Sequence, residues 1–360
     1  MKRILVVALA LAAVAWLAFG GWTLSRRAPR EAPAPGEARG AWHVHTTRSD
    51  GQGTLDDVVR AAKAAGLQFV VVADHNALTP SDAGYRDGVL VVEATEISSA
   101  FGHVVAVGLE APPGAAEKAD PLRRIAAAGG SAVLAHPLHP RRPFTGWGRG
   151  PWRGFEVVSN DSFWYQTLRD RAAGRVALAA LALPFDDPQA VLWLSHFPAE
   201  ELARFDAEGA AARAAGRPPP VLLCSADAHG YPSYVAAFGA FSMHVPVTLT
   251  GDVAADTRAV LGALLDGRAA CVYDGVAPAA SVALTRVPGA GLHLSLDAPL
   301  TAGVRLRLLR DGREVEVRTL AGQPSTSVRF CESGCAPGTY RVEGTVDGRP
   351  WLFTNPVAFE

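Results

Sequence analysis

Six of the ten histidines in this chain fall beside carboxylates in a few short clusters. Residues 41–51 read AWHVHTTRSDG, with His43 and His45 one residue apart and Asp50 next to a glycine. His75 closes FVVVADH, Glu96 lies in EATEISS, His103 in GHVVAV, His136 in AHP, and Asp227 and His229 in SADAHG. Imidazole nitrogen and carboxylate oxygen together suit zinc, manganese or iron, and the shortage of thiols disfavours softer sites. Nine candidate ligands exceed the needs of one ion, so the set predicts two or three divalent ions (Zn, Mn or Fe) bridged by carboxylate and hydroxide. A lone histidine at a strand end is more often structural; the reading rests on the set.

The elements that must position these residues follow one theme: a helical stretch, a glycine, a short apolar run and a polar cluster. TLDDVVRAAKAAG has Thr54 as N-cap, acids in its first turn and Gly66 as its stop, and a buried strand follows. DPLRRIAAAGG leads into SAVLAHP in the same way. Helices alternating with continuous apolar strands imply parallel strands covered by helices, an α/β sheet or barrel. In such barrels chemistry gathers at the carboxyl ends of the strands, which is where the polar clusters fall. The expected strands are 41–45, 68–73, 89–92, 103–108, 131–135, 154–158 and 221–225. The stretch between Asn160 and Val221 is rich in Ala, Leu and Arg and reads as helical packing around the barrel. Near Pro278 the pattern changes to alternating apolar and polar residues with RDG and VDG turns, which predicts hairpins and a small β-sandwich.

HxH followed by SDG, then DH, then ExS with a histidine soon after, then AHP and last DAH resembles, in motif order, the polymerase and histidinol phosphatase (PHP) domain family. The resemblance covers about residues 41–275 and is specific as a set, though each motif is weak singly. It implies an α/β fold, a distorted seven-stranded β/α barrel of TIM-like PHP type, here followed by a small all-β sandwich. It also implies a metal-dependent phosphoesterase using a metal-activated hydroxide at a di- or trinuclear centre. Carried over residue by residue, the metal ligands are His43, His45, Asp50, His75, Glu96, His103, His136, Asp227 and His229. Asp227, His229 or a metal-bound water would supply the leaving-group proton. Asp74 is expected to support the site without binding metal, and Ala73 stands where the family usually has threonine. The ending RPWLFTNPVAF is similar to that of a branch of exported bacterial PHP proteins.

Substrate recognition is sought in LHPRRPFTGWGRGPWRG, where Arg141, Arg142, Arg149 and Arg153 alternate with Phe144, Trp147 and Trp152. Guanidinium groups pair with phosphate and indoles stack on bases or rings, so Arg141, Arg142 and Trp147 are the candidate substrate residues; the competing reading is a surface loop with its own small aromatic core. A functional loop would favour a small phosphorylated substrate such as a nucleotide or short oligonucleotide. His139 reads as standing behind the site, and Asn160 and Asp161 as lining its pocket without binding metal. His196, His244 and His293 read as structural, and Ser195 beside His196 lacks the geometry of a hydrolase triad.

The chain has 360 residues, enough for two or three domains, and a formal net charge of −1. The absence of a basic excess argues against stable binding of long nucleic acid. Lys2 and Arg3 precede an apolar run from Ile4 to Leu24, about long enough to cross a bilayer. Residues 1–25 therefore read as a signal anchor or signal peptide, 26–40 as a Pro-rich linker holding the catalytic body off the membrane, 41–276 as the barrel and 277–360 as the sandwich. The implied location is the cell envelope, anchored and facing the periplasm or exterior, or secreted if the segment is cleaved. Arg26, Arg27 and Arg30 after the run blur the charge asymmetry that would fix orientation. Cys331 and Cys335 are close enough in sequence to bridge, whereas Cys224 and Cys271 read as buried small hydrophobes. Two rival functions remain: a metal-dependent amide or ester hydrolase, and a non-catalytic metal-containing envelope scaffold.

Overall fold

The computed structural model describes residues 1–29, 31–287, 291–298, 303–320, 326–332 and 334–359; Arg30 lies outside them. A long helix α1 (Lys2–Ser25) precedes β1 (Ala38–Val44), α2 (Leu55–Ala64), β2 (Phe69–Val72), β3 (Gly84–Arg86), β4 (Val89–Ser99) and β5 (Gly102–Val107). Next come α3 (Ala115–Ala119), α4 (Pro121–Ala127), β6 (Ser131–Leu134) and β7 (Gly154–Ser159). Four helices, α5 (Asn160–Arg169), α6 (Ala173–Ala182), α7 (Asp187–Leu194) and α8 (Ala199–Ala214), fill the stretch read as helical. β8 (Val221–Ala228), α9 (Tyr234–Ala240), β9 (Ser242–Val245), α10 (Val253–Leu265) and β10 (Ala270–Val272) complete this half. The remainder is all strand: β11 (Ser281–Val287), β12 (Gly291–Asp297), β13 (Val304–Arg310), β14 (Arg313–Leu320), β15 (Thr326–Phe330), β16 (Gly338–Val346), β17 (Arg349–Thr354) and β18 (Val357–Phe359).

Strands β1, β2, β4, β5, β6, β7 and β8 hydrogen-bond in that order, and β8 returns to β1, closing a seven-stranded barrel. These are the seven strands expected from the apolar runs. The pairing is not parallel throughout, because β5 runs antiparallel to both β4 and β6. Only Ala100 and Phe101 separate β4 from β5, and a parallel crossover needs a dozen residues or more. Outside the barrel, α2 begins at a Thr54–Asp57 capping box and ends before Gly66 at φ +74°. Its Val58, Val59 and Ala62 pack with Ala41, Val44, Val70, Val72 and the α9 residue Phe238.

The C-terminal strands form two sheets, β11-β12-β15 and β14-β13-β16-β17, with β18 beside β16. Leu292, Leu294, Leu308, Phe330, Val342 and Trp351 belong to one buried apolar core. The second sheet is continuous with the barrel: β9 pairs antiparallel with β1, β10 with β9, and β17 with β10. On either side of Arg30 the chain contacts the body. The Arg26 carbonyl accepts from Gln189, Arg27 pairs with Asp186 at 2.6 Å, and Ala34 N–H donates to the Ala280 carbonyl.

The cysteine expectation is corrected. Cys224 of β8 and Cys271 of β10 form a disulfide across 47 residues, with Cα atoms 5.8 Å apart, while Cys331 and Cys335 are free thiols. Packing of β10 against β8 brings the distant pair together; closeness in sequence did not produce a bridge. Burial, then the neighbouring Cys331, pushes the Cys335 thiol up to about 12.

Asn355, within the RPWLFTNPVAF ending, joins the two halves. Its buried amide accepts from Leu222 N–H at 2.7 Å and donates to the carbonyls of Leu222 and Ala269, each at 2.9 Å. Asn355→Ala strands three buried backbone groups, each worth about 1–3 kcal/mol. We expect a loss of about 3 kcal/mol, read as an earlier midpoint in urea unfolding with an unchanged fold by circular dichroism.

Candidate metal centre

The centre starts from an irregularity in β1. Register slips between Trp42 and Val44 against both neighbouring strands, and His43 sits at φ +66°. This bulge lets Trp42 and His43 both reach Glu156 on β7, while Val44 packs outward with Ala41 under α2. Two further candidate ligands also have positive φ, His136 at +29° and Asp227 at +40°. Such backbone costs about 1–3 kcal/mol per residue and persists where its surroundings over-determine it. Here it sits at the carboxyl ends of β1, β6 and β8.

Glu96, fully buried on β4, is the hub. Its Oε1 lies 2.9 Å from His103 Nδ1 and 3.0 Å from His136 Nε2. Its Oε2 lies 3.0 Å from His75 Nδ1, 3.3 Å from His43 Nε2 and 3.4 Å from His45 Nε2. Asp227 Oδ1 is 3.5 Å from His45 Nε2 and 3.9 Å from His43 Nε2, and its Oδ2 is 4.0 Å from His136 Nε2. Asp50 is half exposed and stands at the rim, 3.5 Å from His45, 3.4 Å from His75 and 3.4 Å from His229. Among the described residues three groups have the spacing to hold an ion: His43, His45 and Glu96; His75, Glu96 and His103; and His45, Asp50, His75 and His229. His136 and Asp227 border the first. All nine candidate ligands thus converge on one mouth.

These donors fit divalent cations. Glu96 Oε2 is buried with no hydrogen-bond partner, a costly state for a carboxylate oxygen. The Nε2 atoms of His43 and His45 approach to 3.0 Å, so two imidazole ligand atoms face one point. His229 Nδ1 donates to the Asp227 carbonyl at 3.0 Å, which leaves its Nε2 lone pair facing Asp50.

The charges agree. Burial lowers the His43 pKa, but Glu156, Glu96 and Asp227 outweigh it and hold the imidazole well above its usual range. Against the same opposing burial, the carboxylates Glu96, Asp227 and Glu156 hold His136 up to about 9. Burial acts to raise Glu96 and Asp227, yet His43 and the other imidazoles keep both well below the carboxylate range. In His45 burial wins and lowers the pKa.

A supporting layer fixes the ligands. Glu156, which sequence reasoning missed, is fully buried and accepts from Trp42 Nε1, His43 Nδ1 and the His136 N–H, each at 2.8 Å. Its signal is one glutamate inside the apolar strand GFEVVS. Asp74 accepts from Thr46 N–H at 2.7 Å, Thr46 Oγ1 at 2.8 Å, Ser49 Oγ at 2.6 Å and Arg48 Nε at 3.0 Å, which shapes the loop carrying Asp50. Arg48 forks onto Glu93 at 2.8 and 3.0 Å. Tyr234 of α9 donates to the His45 carbonyl at 2.8 Å. Gly51 is required by close approach, since a Cβ there would lie 2.5 Å from the His45 carbonyl oxygen.

The arginine loop divides. Arg141 donates to Tyr165 Oη at 3.1 Å; the Tyr165 ring packs on His139, and His139 on His136. Arg142 is exposed. Trp147 packs edge-on against Phe144, Trp152 and Phe155, and the Arg204 guanidinium lies 3.9 Å from its ring centroid. Arg149 lies over Phe101, and Arg153 donates to the Pro219 carbonyl where β7 and β8 begin, away from the mouth. His139 Nδ1 accepts from the N–H groups of Arg141 and Arg142, so its Nε2–H donates to Asp161 at 3.1 Å. Asn160 opens α5. His196 packs on Phe163, His244 is buried against Asp274 beside the start of β1, and His293 pairs with Arg329 inside the C-terminal sheet. Ser195 Oγ donates to the Val191 carbonyl.

No protein-family model matches the chain, and no curated protein matches it. Among solved structures it is similar to a two-domain protein from Bacteroides vulgatus containing a predicted PHP-like metal-dependent phosphoesterase. That pair shares 15% identity over 91% of this chain and 99% of the other, with a TM-score of 0.42. It is also similar to PsfC from Pseudomonas syringae, at 16% identity over 61% of this chain and 87% of that one, TM-score 0.35. A third is an amidohydrolase from Chromobacterium violaceum, at 14% identity over 53% and 88%, TM-score 0.32.

Two predictions come from the centre. Glu156→Gln keeps the shape of the side chain but removes the carboxylate that orients His43, and metal affinity should fall about 10–100-fold in a chelator competition assay. Metal binding should also release protons. His43 and His136 are protonated at neutral pH without metal, and a ligating imidazole must be neutral. Apparent affinity should therefore rise with pH and level off above about 9, with proton release read by calorimetry in buffers of different ionisation enthalpy.

Proposed function

We propose that this chain is a metal-dependent hydrolase of the PHP type, acting on phosphate esters at the cell envelope. The observation that carries the reading is the convergence of nine histidine and carboxylate ligands around the unpartnered Glu96 Oε2, at the mouth of a closed seven-stranded barrel. His43, His45, Asp50, His75, Glu96, His103, His136, Asp227 and His229 would hold two or three divalent ions of the zinc, manganese or iron class. Such ions supply Lewis acidity toward a phosphoryl oxygen and toward a water nucleophile.

The rest is done by side chains. Glu156 keeps His43 turned inward with its Nε2 toward Glu96, and Asp74 holds the loop that presents Asp50. Asp227, kept as a carboxylate by the imidazoles around it, would complete the ligand set beside His43 and His45. Asp50 and His229 stand at the rim, 27% of the His229 side chain being exposed. His229 would hold an ion there through Nε2, so the departing oxygen would take its proton from solvent at this open rim.

A phosphate ester is favoured over an amide by Arg141, two rings removed from the ligand His136 through Tyr165 and His139. Arg142 is its exposed neighbour. Both guanidiniums would meet a phosphoryl group entering the mouth, and a small phosphorylated substrate fits this better than a long polyanion. Trp147 is engaged by its own aromatic cluster and by Arg204, so base stacking is not assigned to it. The envelope location draws support from α1 and from the Cys224–Cys271 disulfide, a bond that persists in oxidising compartments.

The test uses the full chain in detergent, stripped with a chelator and reloaded with Mn or Zn, against phosphodiester, phosphomonoester and anilide panels. Metal-dependent phosphate-ester turnover is expected, falling on the order of a hundredfold or more in His43→Ala and Asp227→Ala. Turnover of anilides alone would install the amide hydrolase instead. Stoichiometric metal binding with no turnover of either class would favour the scaffold reading.

A further inference from the structure

Helix α1 has 24 residues, about 36 Å, and is the helix among the described residues long and apolar enough to cross a membrane. It is not free of the body. One stripe of it, Trp16, Phe19, Gly20 and Thr23 at helical spacing, turns toward the corner between α6 and α7. Trp16 packs edge-on against Phe185 at 5.0 Å, and its indole Nε1 donates to the Leu181 carbonyl at 3.2 Å. Gly20 meets Phe185 so closely that a Cβ there would lie 2.3 Å from the ring. Trp22 packs on Trp193 of α7 at 5.9 Å. Beyond the apolar run the contacts become polar: Arg27 pairs with Asp186, and the Arg26 carbonyl accepts from Gln189.

These contacts set a depth. Trp16 lies nine residues before the end of α1 at Ser25, about 13 Å along the helix axis. Half the hydrocarbon thickness of a bilayer is about 15 Å. The apolar run of α1 is about as long as the full hydrocarbon thickness, so the helix has little room to slide. With α1 inserted, the Arg27–Asp186 pair lies near the surface, and Leu181 is carried well into the acyl chains.

The corner has the composition this position demands. From Val176 to Phe185 it reads VALAALALPF, with no charged residue. Its outward residues are apolar: Ala177, Ala180 and Pro184 are exposed, Leu181 is 45% exposed and Leu183 38%. Arg175, the charge on α6, turns back to the carbonyls of Trp193 and Ser195. The Leu181 carbonyl lies in the last turn of α6, where helical donors run out, and the anchor's own indole meets it. An exposed apolar face continuous with a membrane helix at matching depth selects one occupant, lipid acyl chains.

We propose that the α6–α7 corner, residues 176–185, is a second membrane-embedded element, a short apolar wedge that enters the bilayer beside α1 and seats the barrel on the membrane surface. This rests on α1 being inserted, which the test reads separately.

The test uses full-length chain with Cys331→Ser and Cys335→Ser, reconstituted in phosphatidylethanolamine and phosphatidylglycerol vesicles. Single environment-sensitive fluorophores are attached through Leu181→Cys, through Val7→Cys on α1, or through Val315→Cys on the exposed strand β14. The Leu181 label should emit blue-shifted light, be quenched by lipids carrying nitroxide on the acyl chain, and resist aqueous iodide, as the Val7 label does; the Val315 label should behave oppositely. A Leu181 label open to iodide beside a lipid-quenched Val7 label overturns the wedge while leaving the anchor. Both labels open to iodide overturn the wedge and the anchor together. A Leu181 label shielded from both quenchers, with cross-linking between chains, assigns the face to a second copy and also overturns the proposal.

Discussion

Glu156 holds together two parts of the chain that would otherwise relax. A carboxylate taken out of water costs several kcal/mol unless it is fully met by donors. Glu156 is met three times, by Trp42 and His43 from the bulged end of β1 and by the His136 N–H after β6. Two of the three positive-φ candidate ligands, His43 and His136, hang from this single side chain. An imidazole anchored at Nδ1 presents Nε2 in one direction only, and that direction is Glu96. The strained backbone, the inward histidine and the crowded hub are one arrangement.

The barrel concentrates charge that an apolar core would reject. Glu96 and Asp227 lie among imidazoles, and the protein balances the buried carboxylates with protons on His43 and His136. That balance is provisional by its chemistry. Cations taking the place of those protons would keep the carboxylates paired and would give Glu96 Oε2 the partner it lacks. Around this core the support is conventional: Asp74 gathers the loop after β1, Arg48 joins it to Glu93, and Tyr234 fastens His45 from α9.

Much of this was legible in the sequence because it depends on local pattern. The apolar runs marked all seven barrel strands, and Thr54 as N-cap and Gly66 as stop marked the limits of α2. The ligands stood out because imidazole and carboxylate rarely close a series of apolar runs by accident. Features that depend on tertiary placement were not legible. Glu156 is a single acid in an apolar strand and gains its meaning from β1 and β6, far away in the chain. The direction of β5 is set by a two-residue link, which the expectation of parallel strands passed over. The disulfide follows the packing of β10 against β8, two strands that are not neighbours in the sheet, where sequence spacing pointed to Cys331 and Cys335. The aromatic arginine loop drew attention as one unit, yet Arg153 turns to the far end of the barrel, Trp147 packs inward, and Arg141 lies on Tyr165.

Strand β1 links the working end of the molecule to the rest. Its carboxyl end carries His43 and His45, while its first residues pair with β9, and through β9 and β10 with β17 of the sandwich. A chain of contacts also runs from the other side: α1 meets α7 at Trp193, Arg27 just after α1 pairs with the α7 N-cap Asp186, α7 packs on α9, and α9 reaches the His45 carbonyl through Tyr234. Without contacts, the residues after α1 would behave as a loose tether, leaving the barrel free to tumble beyond that helix. Bound along the body through Arg26, Arg27 and Ala34, they transmit position instead. A barrel held by α1, a packed helix pair and a continuous sheet keeps its mouth at one orientation to α1, fixed by the same packing that fixes His45.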